Sequence, residues 1–219
     1  MRAFCLAFML ALALVMPDAR TATLVETSIA GESVWVIDDP LSKRVLVASR
    51  AGSRLIDLDT ETVYLIAPNG TTQKVEVSAL PAVTATSSFE IEKVGPGPRI
   101  ADYPTTRFRL SAEGRTCSLI DANLGLGEAL ERAMRAFDLM ERLQSALGGA
   151  DRGPCQRIPL GEYARIGWGL RVADAGAPVV EVVSVVRNYE PLAEELALPT
   201  SAVDITMVVR DGGAPATTR

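Results

Sequence analysis

Short runs of high β-propensity, some alternating between apolar and polar positions, recur along most of this chain. Ser33-Val34-Trp35-Val36-Ile37-Asp38 opens the pattern and stops at Asp39-Pro40. Stretches 44–49, 53–58, 62–66 and 73–77 repeat it, separated by turn residues such as Ala51-Gly52 and Pro68-Asn69-Gly70. Short strands joined by two to five turn residues predict antiparallel hairpins. The rhythm resumes at 89–94 and is interrupted at Gly95-Pro96-Gly97-Pro98, because proline removes a ladder donor. It continues at 105–110, 115–122, 164–172, 179–186 and 201–209. The stretch 79–88 reads as an irregular connector, 192–196 as one or two helical turns, and 211–219 as a disordered tail.

One segment changes period. Leu126, Leu130, Ala133, Phe137, Met140, Leu143 and Leu147 recur at three- and four-residue steps, which predicts a single amphipathic helix over 126–147. Glu128–Arg132, Glu131–Arg135 and Asp138–Arg142 stand acid-first at i,i+4, the favourable order for helix ion pairs. Gly148-Gly149 ends it. The stripe requires an apolar partner, and the sheet is the large one available. Phe137 and Met140 are therefore expected to face the sheet, with Arg132, Arg135 and Glu141 in water. The predicted fold is mainly β (α+β): a curved antiparallel sheet or half-open β-barrel with a packed amphipathic helix. The rival arrangement is two small α+β pieces joined near 79–88.

The N-terminus has another character. Met1-Arg2 precedes an apolar run over 3–16, and Pro17-Asp18-Ala19-Arg20-Thr21-Ala22 follows, the layout of a secretory signal peptide. The run is short for a membrane-crossing helix. Cleavage after Ala19 and cleavage after Ala22 both remain open. Cys5 comes too early to be a lipid-bearing cysteine. The expectation is a signal peptide over 1–22, one domain over 23–210 and a soluble periplasmic product without a lipid anchor or stable membrane span. About two hundred residues can bury a core without metals.

The chain carries 22 Lys plus Arg and 27 Asp plus Glu, a net charge of −5. That balance speaks against nucleic acid as a partner. Removing 1–22 leaves Cys117 and Cys155, and export favours a disulfide between them over two free thiols.

The search for chemistry excludes more than it finds. With no histidine in the chain, Ser-His-Asp, Cys-His and His-bearing zinc sites are absent. The glycines match neither a phosphate-binding loop nor a dinucleotide fingerprint. Asp57-Leu58-Asp59-Thr60-Glu61 places three carboxylates at alternate positions, readable as a calcium site or as a solvated turn. No cofactor and no enzyme activity are expected. Trp35, Tyr64, Phe89, Phe137, Met140 and Trp168 are the candidates to line an apolar ligand groove.

The run from Arg44 through Gly52 to Leu55-Ile56-Asp57-Leu58-Asp59-Thr60-Glu61-Thr62-Val63-Tyr64-Leu65-Ile66 resembles an uncharacterised family of exported bacterial proteins. Its members share a half-open β-barrel with the carriers of outer-membrane lipoproteins. A cysteine-bearing strand, here with Cys117, followed by a helical insertion is similar in layout. The resemblance implies a strongly curved sheet with helices in its concavity, where the carriers receive acyl chains. The expected function is non-catalytic periplasmic binding of a hydrophobic ligand or acylated polypeptide. The alternative is a structural or regulatory envelope protein that docks a protein partner.

Overall fold

The computed structural model describes residues 21–83, 88–147, 155, 160–174, 180–208 and 216–218. Twelve strands form one sheet in the order β12-β6-β5-β4-β3-β2-β1-β11-β10-β9-β8-β7. The first six are β1 (Ala22–Ile29), β2 (Glu32–Asp39), β3 (Arg44–Ser49), β4 (Gly52–Asp57), β5 (Thr62–Ile66) and β6 (Thr72–Glu76). They make a meander whose internal pairings are antiparallel and free of register shifts. The second group is β7 (Phe89–Pro96), β8 (Thr106–Ala112), β9 (Arg115–Asn123), β10 (Trp168–Asp174) and β11 (Val180–Tyr189). The two-residue β12 (Val203–Asp204) runs parallel to β6. The sheet is mainly antiparallel, curved and not closed into a barrel, because its terminal strands β12 and β7 do not pair with each other.

Register explains the burial. Along one face, Val75, Val63, Ile56 and Val45 are direct cross-strand neighbours, and each is almost fully buried. On the other face, Leu55, Leu46, Ile37 and Leu24 form the equivalent row. The meander is thus apolar on both sides. Its first face is covered by α1 (Leu124–Ala129) and α2 (Glu131–Ala146), which bury Leu126, Leu130, Ala133, Ala136, Leu139 and Leu143. Its second face is covered by Tyr189 at the end of β11 and by the segment that follows, where Leu196, Leu198 and Ala202 pack in one cluster with Ile37, Leu46, Leu55 and Tyr64. Arg44 Nη1 donates to the Leu196 carbonyl at 2.8 Å and holds this strap in place. A third apolar cluster lies on β8, β9 and α3 (Leu160–Tyr163), with Cys117 joined to Cys155 by a disulfide.

Several elements differ from the sequence-based expectation. The helix is two helices, because Leu130 leaves helical geometry at φ −112° and ψ 27°. Its N–H reaches both Leu126 and Gly127 carbonyls, a tightened last turn. Asn123 caps α1, its side-chain oxygen accepting from Leu126 N at 2.7 Å. Gly127 is required for packing: a Cβ there would lie 2.5 Å from Gly167 Cα. Strand β10 starts at Trp168 rather than 164, since 164–166 complete a turn after α3 and Gly167 adopts φ +94°. Strand β7 runs on through Gly95 and Pro96, which an edge strand with a bulge tolerates. Residues 192–196 form a turn, not a helix, closed by Glu195 N donating to the Leu192 carbonyl. Ala216–Thr218, within the expected tail, pairs with Thr206–Val208. The expected signal segment through residue 20, Gly148-Gly149, the turn at 175–178 and the remainder of the tail lie outside the described residues.

Candidate functional site

The six apolar candidates do not form one groove. Phe137, Met140 and Trp168 join the cluster between α2 and the sheet, with the Phe137 and Trp168 rings 5.5 Å apart. Trp168 is buried, whereas Phe137 and Met140 are half-buried. Tyr64 lies on the opposite face under the C-terminal strap. Phe89 borders the cluster on β8 and β9. Trp35 is exposed, next to Glu26 and Ala48.

Helix α2 is rotated relative to the expected stripe. Ala133, Ala136, Leu139 and Leu143 are its deepest apolar residues. The alanines let the helix backbone approach β2 and β3, which leaves the larger Phe137 and Met140 at the flank. Glu141, expected in water, is buried. Arg132 and Arg135 leave their i−4 glutamates for Asp38 on β2 and Glu61 in the turn before β5. Arg132 Nε donates to Asp38 Oδ1 at 2.8 Å, and Arg135 Nη2 donates to Glu61 at 2.8 Å. Of the three expected helix pairs, Asp138–Arg142 forms, at 2.7 Å.

Asp38 continues the apolar row of Val75, Val63, Ile56 and Val45, and its side chain is 1% exposed. Burial pushes its carboxyl above the ordinary value, with Arg132 and the Ala133 N–H of the α2 N-terminus opposing that effect and Asp39 adding to it. Oδ2 has no hydrogen-bond partner among the described residues. Asp39 behaves oppositely. Burial alone would raise it, but the Ser42 hydroxyl and the Ser42 and Leu41 N–H groups donate to it and hold it low.

The acidic stretch 57–61 is a turn, not a cation cage. Asp57 Oδ1 accepts from Asp59 N and Thr60 N at 3.0 and 3.2 Å. Asp57 pairs with Arg44, Asp59 with Lys43 and Glu61 with Arg135. Each carboxylate therefore has its own cation, and the described residues hold no group of three potential metal ligands. Among them no helix is long and apolar enough to cross a membrane.

Reading by residue type missed the pair between half-exposed Arg107 and buried Asp121, a fork with bonds of 2.8 and 2.9 Å that joins β8 to β9. The signal was present: Arg107 and Asp121 stand on the two strands of one predicted hairpin. Two open clefts occur away from all six candidates. One, of about 280 Å³, lies among Ser49, Gly52, Arg54, Leu65 and Thr71. The other lies between the loop after β7 and strands β1 and β11.

No family model matches the chain, and no curated protein matches it. Among solved structures, PNGF-II aligns in its C2 and P21 space groups at 16% and 15% identity, with TM-scores of 0.45 and 0.43. Each alignment covers 85% of this chain, against 31% and 32% of PNGF-II. MucB aligns at 10% identity with a TM-score of 0.33, over 87% of this chain and 62% of its own. The chain thus spans about a third of PNGF-II and less than two thirds of MucB. Likenesses this weak carry no statement about activity, ligand or partner.

Proposed function

We propose that the protein is an exported, non-catalytic binder of a hydrophobic molecule or acyl-bearing polypeptide in the periplasm. The observation that carries this reading is the half-buried pair Phe137 and Met140 at the flank of the α2–sheet layer, against Trp168. Apolar side chains reachable from the surface and continuous with a buried layer are what such a ligand requires. The signal-like N-terminus and the absence of histidine fit the exported, non-catalytic part. Native mass spectrometry of the full chain, purified from cell envelopes without detergent, tests it. Adducts with acyl-chain masses, depleted in Phe137→Ala, support the reading. Ligand-free protein, equal in wild type and variant, removes it.

A second reading is docking of a protein partner at a strand edge. Its support is the contrast between the two ends of the sheet: β12 covers the β6 edge, while β7 ends the sheet with no further strand among the described residues. Glu90, Glu92 and Lys93 on β7 are charges of the kind that guard an edge against indiscriminate pairing. A stoichiometric polypeptide in the same mass spectra, without lipid, favours this second reading.

A further inference from the structure

Strand β7 ends the sheet, and the hydrogen bonds at its two ends show which of its backbone groups are free. Glu113 N donates to the Ser88 carbonyl at 3.3 Å, and Gly97 N donates to the Thr105 carbonyl at 2.9 Å. Hydrogen-bonded and non-hydrogen-bonded pairs alternate along an antiparallel ladder. Counting from Ser88–Glu113, the bonded pairs are Glu90–Ser111 and Glu92–Arg109. Counting back from Gly97–Thr105, the next is Gly95–Arg107, and the register shift between Lys93 and Gly95 reconciles the two counts. The N–H and C=O groups of Phe89, Ile91 and Lys93 therefore point away from β8. Pro96 also stands at an outward position, where its missing N–H costs no bond to β8, and it ends the free row. Among the described residues no further strand takes up these groups.

The side chains divide by parity. Phe89 and Ile91 lie across from Ala112 and Leu110 and are half-buried at the margin of the cluster on β8 and β9. Glu90 and Glu92 stand on the opposite face and are exposed. Glu92 is engaged by Arg109 at 3.0 Å. Glu90 lies across from Ser111 and has no ion pair among the described residues. A strand added antiparallel to β7 would meet Phe89, Ile91 and Lys93 in hydrogen-bonded pairs. It would meet Glu90 and Glu92 in the non-hydrogen-bonded pairs, where side chains approach more closely. Apolar side chains then fit beside Phe89 and Ile91, and cations beside the two carboxylates.

A second copy of this chain does not fit that pattern. Antiparallel pairing about a two-fold axis sets residues of equal parity opposite each other. Registers centred on Glu90, Glu92 or Lys93 place that residue against itself, and one centred on Ile91 places Glu90 against Glu92. Each opposes like charges, which destabilises a cross-strand pair.

We infer that the β7 edge takes up an extended peptide of another protein, one in which basic and apolar residues alternate, as a further strand of the sheet. The inference rests on the edge-docking reading above and supplies the partner's pattern. The charges that guard β7 against indiscriminate pairing also select its partner.

The test titrates two blocked hexapeptides into the full chain, with amide chemical shifts read residue by residue. One is Ser-Lys-Val-Lys-Val-Ser, and the other has Glu for both Lys. The lysine peptide is expected to shift the amides of Phe89, Ile91 and Lys93 saturably, and the glutamate peptide to bind more weakly. Glu90→Lys alters an exposed side chain, and circular dichroism verifies its folding. It should weaken the lysine peptide by about fivefold, the upper reach of an exposed ion pair, and favour the glutamate peptide. N-methylation of the first valine, opposite Ile91, removes a ladder donor without altering the protein and should abolish binding. Equal binding of both peptides at β7, unmoved by Glu90→Lys, overturns the basic pattern and leaves edge docking intact. Undiminished binding of the methylated peptide, or no shift at β7 with either peptide, overturns both.

Discussion

The two halves of the sheet are built differently. Strands β1 to β6 pair without a register shift, whereas every shift in the sheet involves a strand from β7 to β11: β1/β11, β9/β10, β7/β8 and β8/β9. A bulge bends its strand and sharpens the local twist. The regular half is clamped between α1–α2 on one face and the C-terminal strap on the other. The bulged half is held by the Arg107–Asp121 fork, the Thr105–Pro98 hydrogen bond and the Cys117–Cys155 link. The comparison assigns the greater stability to the first half. On the edge strand β7 of the second half, Phe89 and Ile91 are only half-buried.

The largest effect is expected in the clamped half. Ile56 has no exposed surface and lies under the helices. Ile56→Ala should cost about 2–5 kcal/mol in urea unfolding, from lost burial and the cavity left behind. Ile91→Ala, at the half-buried edge, should cost under about 1.5 kcal/mol by the same area argument. Equal costs would mean that the two halves share one core.

Removing the disulfide comes next. It closes a separation of 38 residues, and Cys117→Ser with Cys155→Ser should cost about 2–4 kcal/mol. Unfolding of the double variant without reductant measures it. The regular strands should retain their protection in that variant, because none of them contains either cysteine.

The Arg132–Asp38 contact is third and depends on pH. Arg132→Ala leaves a buried carboxylate without its cation, and about 2–3 kcal/mol should be lost near neutrality, since the guanidinium is itself only partly buried. The Asp38 carboxyl is raised by burial, and losing Arg132 raises it further. A raised folded-state value means that the folded form takes up the proton first. The variant's deficit should therefore be full above that raised value and shrink as pH falls towards the ordinary carboxylate range. Unfolding midpoints measured across that pH range check the sign. Lys43→Ala, at the exposed Lys43–Asp59 pair, is the smallest effect, at about 0.3 kcal/mol.

The same division separates what the sequence disclosed from what it concealed. In β2 to β6, short runs of high β-propensity bounded by Asp39-Pro40, Gly52 and Asn69-Gly70 place each strand within a residue or two. In β7 to β11, the turn after α3 hides the start of β10 at Trp168, and Gly95-Pro96 reads as an end although β7 runs on through it. The helix face misled in part. The expected stripe holds for Leu126, Leu130, Ala133 and Leu143, but Ala136 and Leu139 are buried more deeply than Phe137 and Met140. Asp38 reads only as the last residue of a strand before Asp39-Pro40. Its burial depends on Arg132, 94 residues away, a distance no local pattern carries. Of the six groove candidates, Phe137, Met140 and Trp168 converge and the others scatter. Aromatic content marks burial without saying on which face.

Native-state hydrogen exchange, measured residue by residue, tests this division most directly. Amides of β2 to β5 should exchange only through global unfolding, while those of β7, β8, β10 and β11 open at clearly lower free energy. Uniform protection across the sheet would contradict the account.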